Sequence, residues 1–107
     1  MTQPAYLCIP GAEAARLIRD EPGLTLFDVR DARSYRSGHA PGAAHLDETR
    51  LAAWMQRLPR ENPVLIYCYQ GQSSQAYARM FADFRYSRVY SVDGGYPALL
   101  AALAADA

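Results

Sequence analysis

The sequence predicts an α/β fold: a central, mostly parallel five-stranded sheet with helices on both faces. Three observations lead there. Strand-like segments alternate with segments of helical period along the whole chain, the pattern of parallel strands joined by helical crossovers. Two of the strand segments, "LTLFDV" from Leu24 and "VLIYC" from Val64, are continuous apolar runs, as expected of strands covered on both faces. The length, 107 residues of which 50% are apolar, suits one core and a single domain over residues 1–107.

The elements follow in order. "AYLCI", Ala5 to Ile9, reads as a short strand. Pro10 stands where a helix can begin, and "GAEAARLIRD" has apolar residues at helical spacing until Pro22-Gly23 stops it. "LTLFDV" is the second strand. "DARSYRSG" is polar and turn-like, with room for one helical turn. Pro41-Gly42 makes a tight turn before a short strand at Ala44 to Leu46. Asp47 is placed to cap "ETRLAAWMQRL", whose Leu51, Trp54, Met55 and Leu58 share a face. Pro59 and Pro63 bracket a loop, and "VLIYC", Val64 to Cys68, is the most deeply buried strand candidate. "SSQAYARMFADF" is helical with Ala76, Met80, Phe81 and Phe84 as its apolar face. "RVYSVD" is the last strand and "GGYPALLAALAADA" a closing helix.

Eleven acidic and eleven basic residues cancel, which argues against nucleic acid or an acidic membrane as partner. Every basic residue is arginine, so lysine chemistry such as a Schiff base is excluded. Two cysteines are too few for a disulfide framework. The first residues lack a signal-peptide pattern and "ALLAALAA" is too short to span a bilayer, so a cytoplasmic location is expected.

The stretch "CYQGQSS", Cys68 to Ser74, sits at the carboxyl end of the best strand, where open α/β sheets place their sites. A strand-loop-helix connection turns backbone N–H groups around a small concavity, and the helix N-terminus adds more. Both favour an anion, so a thiol pointing into that cradle should titrate below the free value of about 8.5. Gly71 permits the positive φ that turns successive amides inward. Ser73 or Ser74 can cap the following helix or donate to a bound sulfur. Cys8, followed only by "IPG", is expected to be inert.

These residues resemble the active loop of single-domain rhodaneses, the thiosulfate sulfurtransferases, in particular the bacterial type with Cys-Tyr-x-Gly-x-Ser-Ser. "LFDVRDARSYRSGHAPGAAHL" is similar to the family's Asp-x-Arg and Gly-His-x-Pro-Gly-Ala segment, and "VYSVDGGYPALL" to its closing segment. The resemblance implies a rhodanese-like fold without cofactor or metal. It implies that the Cys68 thiolate takes the outer sulfur of thiosulfate as a persulfide and hands it to cyanide or a cellular thiol. The amides of residues 69 to 73 would steady the persulfide, making Tyr69, Gln70, Gly71, Gln72, Ser73 and Ser74 the binding loop. Asp28 and Arg30 match Asp-x-Arg, and we read them as fasteners of nearby loops, since buried charges need partners. His39, in Gly-His-x-Pro-Gly, is implied to tie down its turn. The partners expected are a small-molecule donor, thiosulfate or similar, and a thiol acceptor, with a monomer or weak dimer as the working form.

One departure stands out. Many relatives carry arginine or lysine in the loop, whereas Tyr69, Gln70 and Gln72 are neutral. Anion binding then falls to backbone amides, with Arg33 and Arg36 of the neighbouring loop as candidates, and a weak thiosulfate affinity is expected. Two rival readings follow. A phosphatase or arsenate reductase would close its loop with an arginine, but Ser73 and Ser74 stand there and the next arginine is Arg79. A sulfur-relay module that receives sulfur from a protein partner remains open, with Tyr69 at the mouth as a docking residue. The two histidines, His39 and His45, and two scattered cysteines do not make a zinc site.

Overall fold

A computed structural model describes residues 5–106. Strand β1 (Leu7–Ile9) leads into helix α1 (Gly11–Asp20), then β2 (Thr25–Asp28), α2 (Ala32–Ser37), β3 (Ala44–His45) and α3 (Glu48–Arg57). The second half repeats the alternation with β4 (Val64–Tyr67), α4 (Ser73–Asp83), β5 (Val89–Val92) and α5 (Gly95–Ala105). Ala107, the last residue of the predicted closing segment, lies outside the described residues. The five strands form one sheet in the order β1-β5-β4-β2-β3, and every pairing is parallel, so the sheet is wholly rather than mostly parallel.

Alternation along β4 divides the core. Leu65 and Tyr67 point into a cluster with Ile9, Ala14, Val92 and Leu99, beneath α1 and α5. Val64 and Ile66 point the other way, to Phe27, Met55, Phe81 and Tyr86, beneath α3 and α4. All four residues of β4 are fully buried, which is why the sequence there is an unbroken apolar run. Phe27 anchors the second cluster, edge-on to Trp54 at 5.0 Å and stacked on Phe81 at 5.6 Å.

The local starts and stops obey the sequence. Asp47 caps α3 by accepting a hydrogen bond from the Arg50 amide, and Asp31 caps α2 by accepting one from Ser34. That cap turns the predicted single turn after β2 into a six-residue helix. The expected face of α4 holds at Phe81, which is buried, and at Met80, which packs against the same cluster, and is corrected elsewhere along the helix. Its buried residues are Ser74, Ala78 and Phe81, whereas Ala76 is exposed and Phe84, at the C-cap, is 56% exposed. Small side chains at 74 and 78 let the helix lie close on β4 and β5, and that approach outweighs the pull of the larger apolar residues.

The strand order has a functional consequence. From β2 the chain moves outward to β3, and from β4 it moves the opposite way to β5, while β2 and β4 are neighbours. Connections that diverge from adjacent strands leave a crevice at their carboxyl ends. Val29 and Arg30 follow β2 there, and Cys68 follows β4. Phe27→Ala is expected to cost about 3–5 kcal/mol, because it empties the centre of the second cluster; a urea melt with an unchanged slope and a lower midpoint would show it.

Candidate active site

Cys68 is the first residue after β4, and its thiol is almost fully covered, with 1% of the residue exposed. Its surroundings are not hydrocarbon alone. The Gly71 amide donates to Sγ at 3.1 Å, and the Ser74 hydroxyl lies 3.2 Å from Sγ. Burial pushes the thiol up, but the hydroxyls of Ser74 and Ser73 and the amides of Ser74 and Gly71 outweigh it and bring the thiol down to about 7. The donors are all neutral.

Gly71 makes the turn possible. Its φ of 98° belongs to the region that side chains avoid, and a Cβ there would stand 3.0 Å from Gly94 N and from Val92 O. The loop is also pressed from behind. A Cβ on Gly95, φ 65°, would fall 2.3 Å from the Tyr69 carbonyl oxygen, so the turn after β5 packs backbone to backbone against the loop that follows Cys68. The Tyr96 amide donates to the Cys68 carbonyl at 2.8 Å across the same contact. The glutamine side chain at 75 donates to Gly71 O and accepts from the Tyr6 phenol.

The expected helix cap is corrected here. Gln72 occupies the N-cap of α4 without a side-chain bond, and neither serine caps the helix. Ser74 instead sits one position inside the first turn, fully buried, with its Oγ between Cys68 Sγ and Ser91 Oγ, the latter 2.8 Å away.

On the β2 side, Asp28 is fully buried and Arg30 is 8% exposed. Arg30 Nη2 donates to Asp28 Oδ2 at 2.7 Å and to the Gly38 carbonyl at 2.6 Å. The Tyr67 phenol donates to Asp28 Oδ2 at 2.6 Å and accepts from the Ala40 amide at 3.0 Å. Burial and that bond to Asp28 push the phenol up, so it remains a donor. The guanidinium of Arg30 lies 3.9 Å from the centre of the Tyr96 ring. One buried ion pair thus joins β2, β4, the turn around Gly38 and the first turn of α5.

The model of the rhodanese-like domain matches residues 11–102. The chain belongs to the rhodanese-like domain family. A thiosulfate sulfurtransferase GlpE of Tolumonas auensis is 40% identical over 84 residues, 78% of each chain. One of Pseudomonas savastanoi pv. phaseolicola is 39% identical over the same share. Among solved structures, a rhodanese-like domain of an Anabaena protein superposes with a TM-score of 0.77 at 22% identity, over 92% of this chain and 75% of that one.

In this rhodanese-like domain the remaining predicted residues fall as follows. Arg33 and Arg36 lie exposed on α2, and neither guanidinium has a hydrogen-bond or ion-pair partner among the described residues. Their helix abuts the loop, because the phenol of Tyr69 is hydrogen-bonded to the Asp31 carboxylate and sits 3.1 Å from Ser34 Oγ. Tyr69 itself is 47% exposed, while Gln70 and Gln72 face solvent. Arg79 turns away, its guanidinium over the Tyr6 ring at 5.6 Å. His39 stacks on Tyr35, with Nδ1 2.7 Å from the Tyr35 carbonyl, and His45 Nε2 is 2.6 Å from the Arg30 carbonyl. Neither ring is hydrogen-bonded to Cys68. Cys8 is exposed, and burial together with Asp93 raises its thiol.

Three residues of the site escaped the sequence reading. Tyr67 looked like one more apolar strand residue, Asp31 like part of a polar turn, and Ser91 like filler in a strand. An Asp three residues before the Ser34 amide is an N-cap signal, and a serine inside a buried strand demands a partner.

Alkylation of Cys68 by iodoacetamide, in a Cys8→Ser background, should rise with pH through a midpoint near 7, since only the thiolate reacts. Ser74→Ala should move that midpoint up by about one unit, the loss of one hydrogen bond to a charged group.

Proposed function

We propose that this protein is a thiosulfate sulfurtransferase working through a persulfide on Cys68. The chain is a sulfurtransferase of the rhodanese-like family, similar over most of its length to enzymes named for thiosulfate. The observation that carries the mechanism is the set of neutral donors directed at Sγ, which holds the thiol near 7. A thiol lowered in this way supplies far more thiolate at neutral pH than a free cysteine does, without help from a histidine.

In the first half-reaction the Cys68 thiolate attacks the outer sulfur of thiosulfate. A sulfur–sulfur bond forms to Sγ, the bond to the sulfonate sulfur breaks, and sulfite leaves with the electron pair. The negative charge moves one atom outward, onto the persulfide, where loop amides meet it as they would an oxyanion. In the second half a thiophile, cyanide in the test tube or a cellular thiol, takes the outer sulfur and returns the thiolate. The scheme is ping-pong covalent catalysis.

The frame around Asp28 and Arg30 supports this by holding both loops of the crevice at once. A fully paired buried ion pair has no charge to spare for substrate, so we assign these residues to positioning rather than to catalysis. Arg33 and Arg36 are the free cations beside the loop among the described residues, and we assign them to collecting the anionic donor from solution.

The test is the thiosulfate–cyanide assay. Turnover should vanish, with a loss of at least about a thousandfold, in Cys68→Ser, because a serine hydroxyl is scarcely ionised. Protein treated with thiosulfate should gain the mass of one sulfur on Cys68, about 32 Da, and lose it to cyanide. Wild-type protein inert with thiosulfate, yet persulfidated by a cysteine desulfurase, would move the reading to a sulfur relay; the exposed ring of Tyr69 at the loop mouth is what would favour docking there.

Arg33→Ala and Arg36→Ala should each raise KM for thiosulfate a few-fold with kcat unchanged, and the difference should shrink as salt is added. A KM for the wild type below about one micromolar would contradict an anion site built from neutral donors.

A further inference from the structure

Ser91 is buried in the middle of β5, with 1% of the residue exposed, and solvent cannot serve its hydroxyl. Its side-chain partner among the described residues is Ser74 Oγ at 2.8 Å. Ser74 is fully buried and also touches Cys68 Sγ at 3.2 Å. Sulfur, hydroxyl and hydroxyl therefore form a closed chain of two contacts.

The two protonation states of Cys68 use that chain differently. With a thiol there are three protons, one each on Sγ, Ser74 Oγ and Ser91 Oγ, and only two contacts to place them in. One buried proton is left without an acceptor. With a thiolate there are two protons and two contacts. Ser91 donates to Ser74, Ser74 donates to Sγ, and the chain ends on the negative charge with every donor used. Polarisation along such a chain strengthens each bond. A persulfide formed on Sγ takes the same orientation, since the inner sulfur of an anion still only accepts.

We propose that Ser91 is a positioning residue for Cys68: it turns the Ser74 hydroxyl toward Sγ and so selects the charged form of the sulfur. Ser91 does not touch the reacting atoms. It acts through Ser74, from the strand next to β4, and thereby ties the charge on the active sulfur to the sheet rather than to the loop alone. The ionisable groups on the elements packed around Cys68 are otherwise committed or distant. Asp28 and Arg30 are paired with each other, Tyr67 donates to Asp28, Tyr69 is bound to Asp31, and Asp93 lies exposed at the end of β5. Tyr96, at the start of α5, lies under the Arg30 guanidinium, and on α4 Arg79 lies over Tyr6 while Asp83 is exposed.

The experiment is the pH profile of Cys68 alkylation by iodoacetamide in the Cys8→Ser background, with the modified peptide quantified by mass. This readout needs no sulfur donor, so it stands apart from the transfer reaction: loss of turnover and movement of the alkylation profile are separate outcomes. In Ser91→Ala the midpoint should rise by about 0.5–1 pH unit, a three- to tenfold loss of thiolate at a fixed pH below it. Ser91→Thr, which keeps the hydroxyl, should keep the wild-type midpoint. In a Ser74→Ala background, Ser91→Ala should add no further shift, because its route to the sulfur is gone. An unmoved midpoint in Ser91→Ala, or an equal shift with Ser74 already removed, would overturn the proposal. Should Ser91→Ala fail to fold, Ser91→Cys, close in size and a poor donor, takes its place, with peptide mapping to separate the two thiols then present in the Cys8→Ser background.

Discussion

The site depends on one interaction, the stabilisation of negative sulfur by uncharged donors. A buried thiol ordinarily resists ionisation, and Cys68 is almost wholly buried. What reverses the tendency is geometry. The Gly71 amide and the Ser74 hydroxyl converge on one atom, and neither brings a charge of its own. Such donors have to be fixed in place, since they lack the reach of a long-range Coulomb field. The rest of the molecule can be read as the apparatus that fixes them.

Two devices do so. Behind the loop, the Gly94-Gly95 turn fits against the Tyr69 carbonyl so closely that no side chain could stand at position 95. Beside it, the buried pair Asp28–Arg30 reaches through Tyr67 to β4, through Gly38 O to the turn after α2 and through Tyr96 to α5. Breaking one partner of such a pair strands a buried charge, so the network resists piecemeal loosening. Both devices draw on residues far apart in sequence and meet at the crevice where the connections from β2 and β4 diverge.

Much of this was legible beforehand, for physical reasons that differ by element. Continuous apolar runs marked β2 and β4 because strands covered on both faces have no polar side to show. Gly71 was legible because a turn of that shape excludes a Cβ, and the place of Cys68 because a residue that directly follows a buried strand falls at the carboxyl edge of the sheet. The face of α4 was misread in part: Phe81 and Met80 pack as hydrophobicity suggested, but Ala76 and Phe84 do not, because the close approach of helix to sheet required the small Ser74 and Ala78. The same register explains why Ser74 is not a cap. Ser91 and Tyr67 were invisible in their roles, since a strand residue acquires a cross-strand partner only once the sheet order is known, and the order β1-β5-β4-β2-β3 is not written in any local pattern.

The depth at which Sγ lies has a bearing on where a bond can be broken. A persulfide offers an incoming nucleophile two sulfur atoms. Attack on the outer one delivers sulfur and restores the enzyme; attack on the inner one expels hydrosulfide and leaves a mixed disulfide that halts the cycle. On the persulfide proposed above, the inner atom would be Sγ itself, on a residue that is 1% exposed, and the outer atom would be the one nearer the mouth of the loop. On that reading, burial of Sγ would favour attack on the outer atom, the cleavage that delivers sulfur and restores the thiolate.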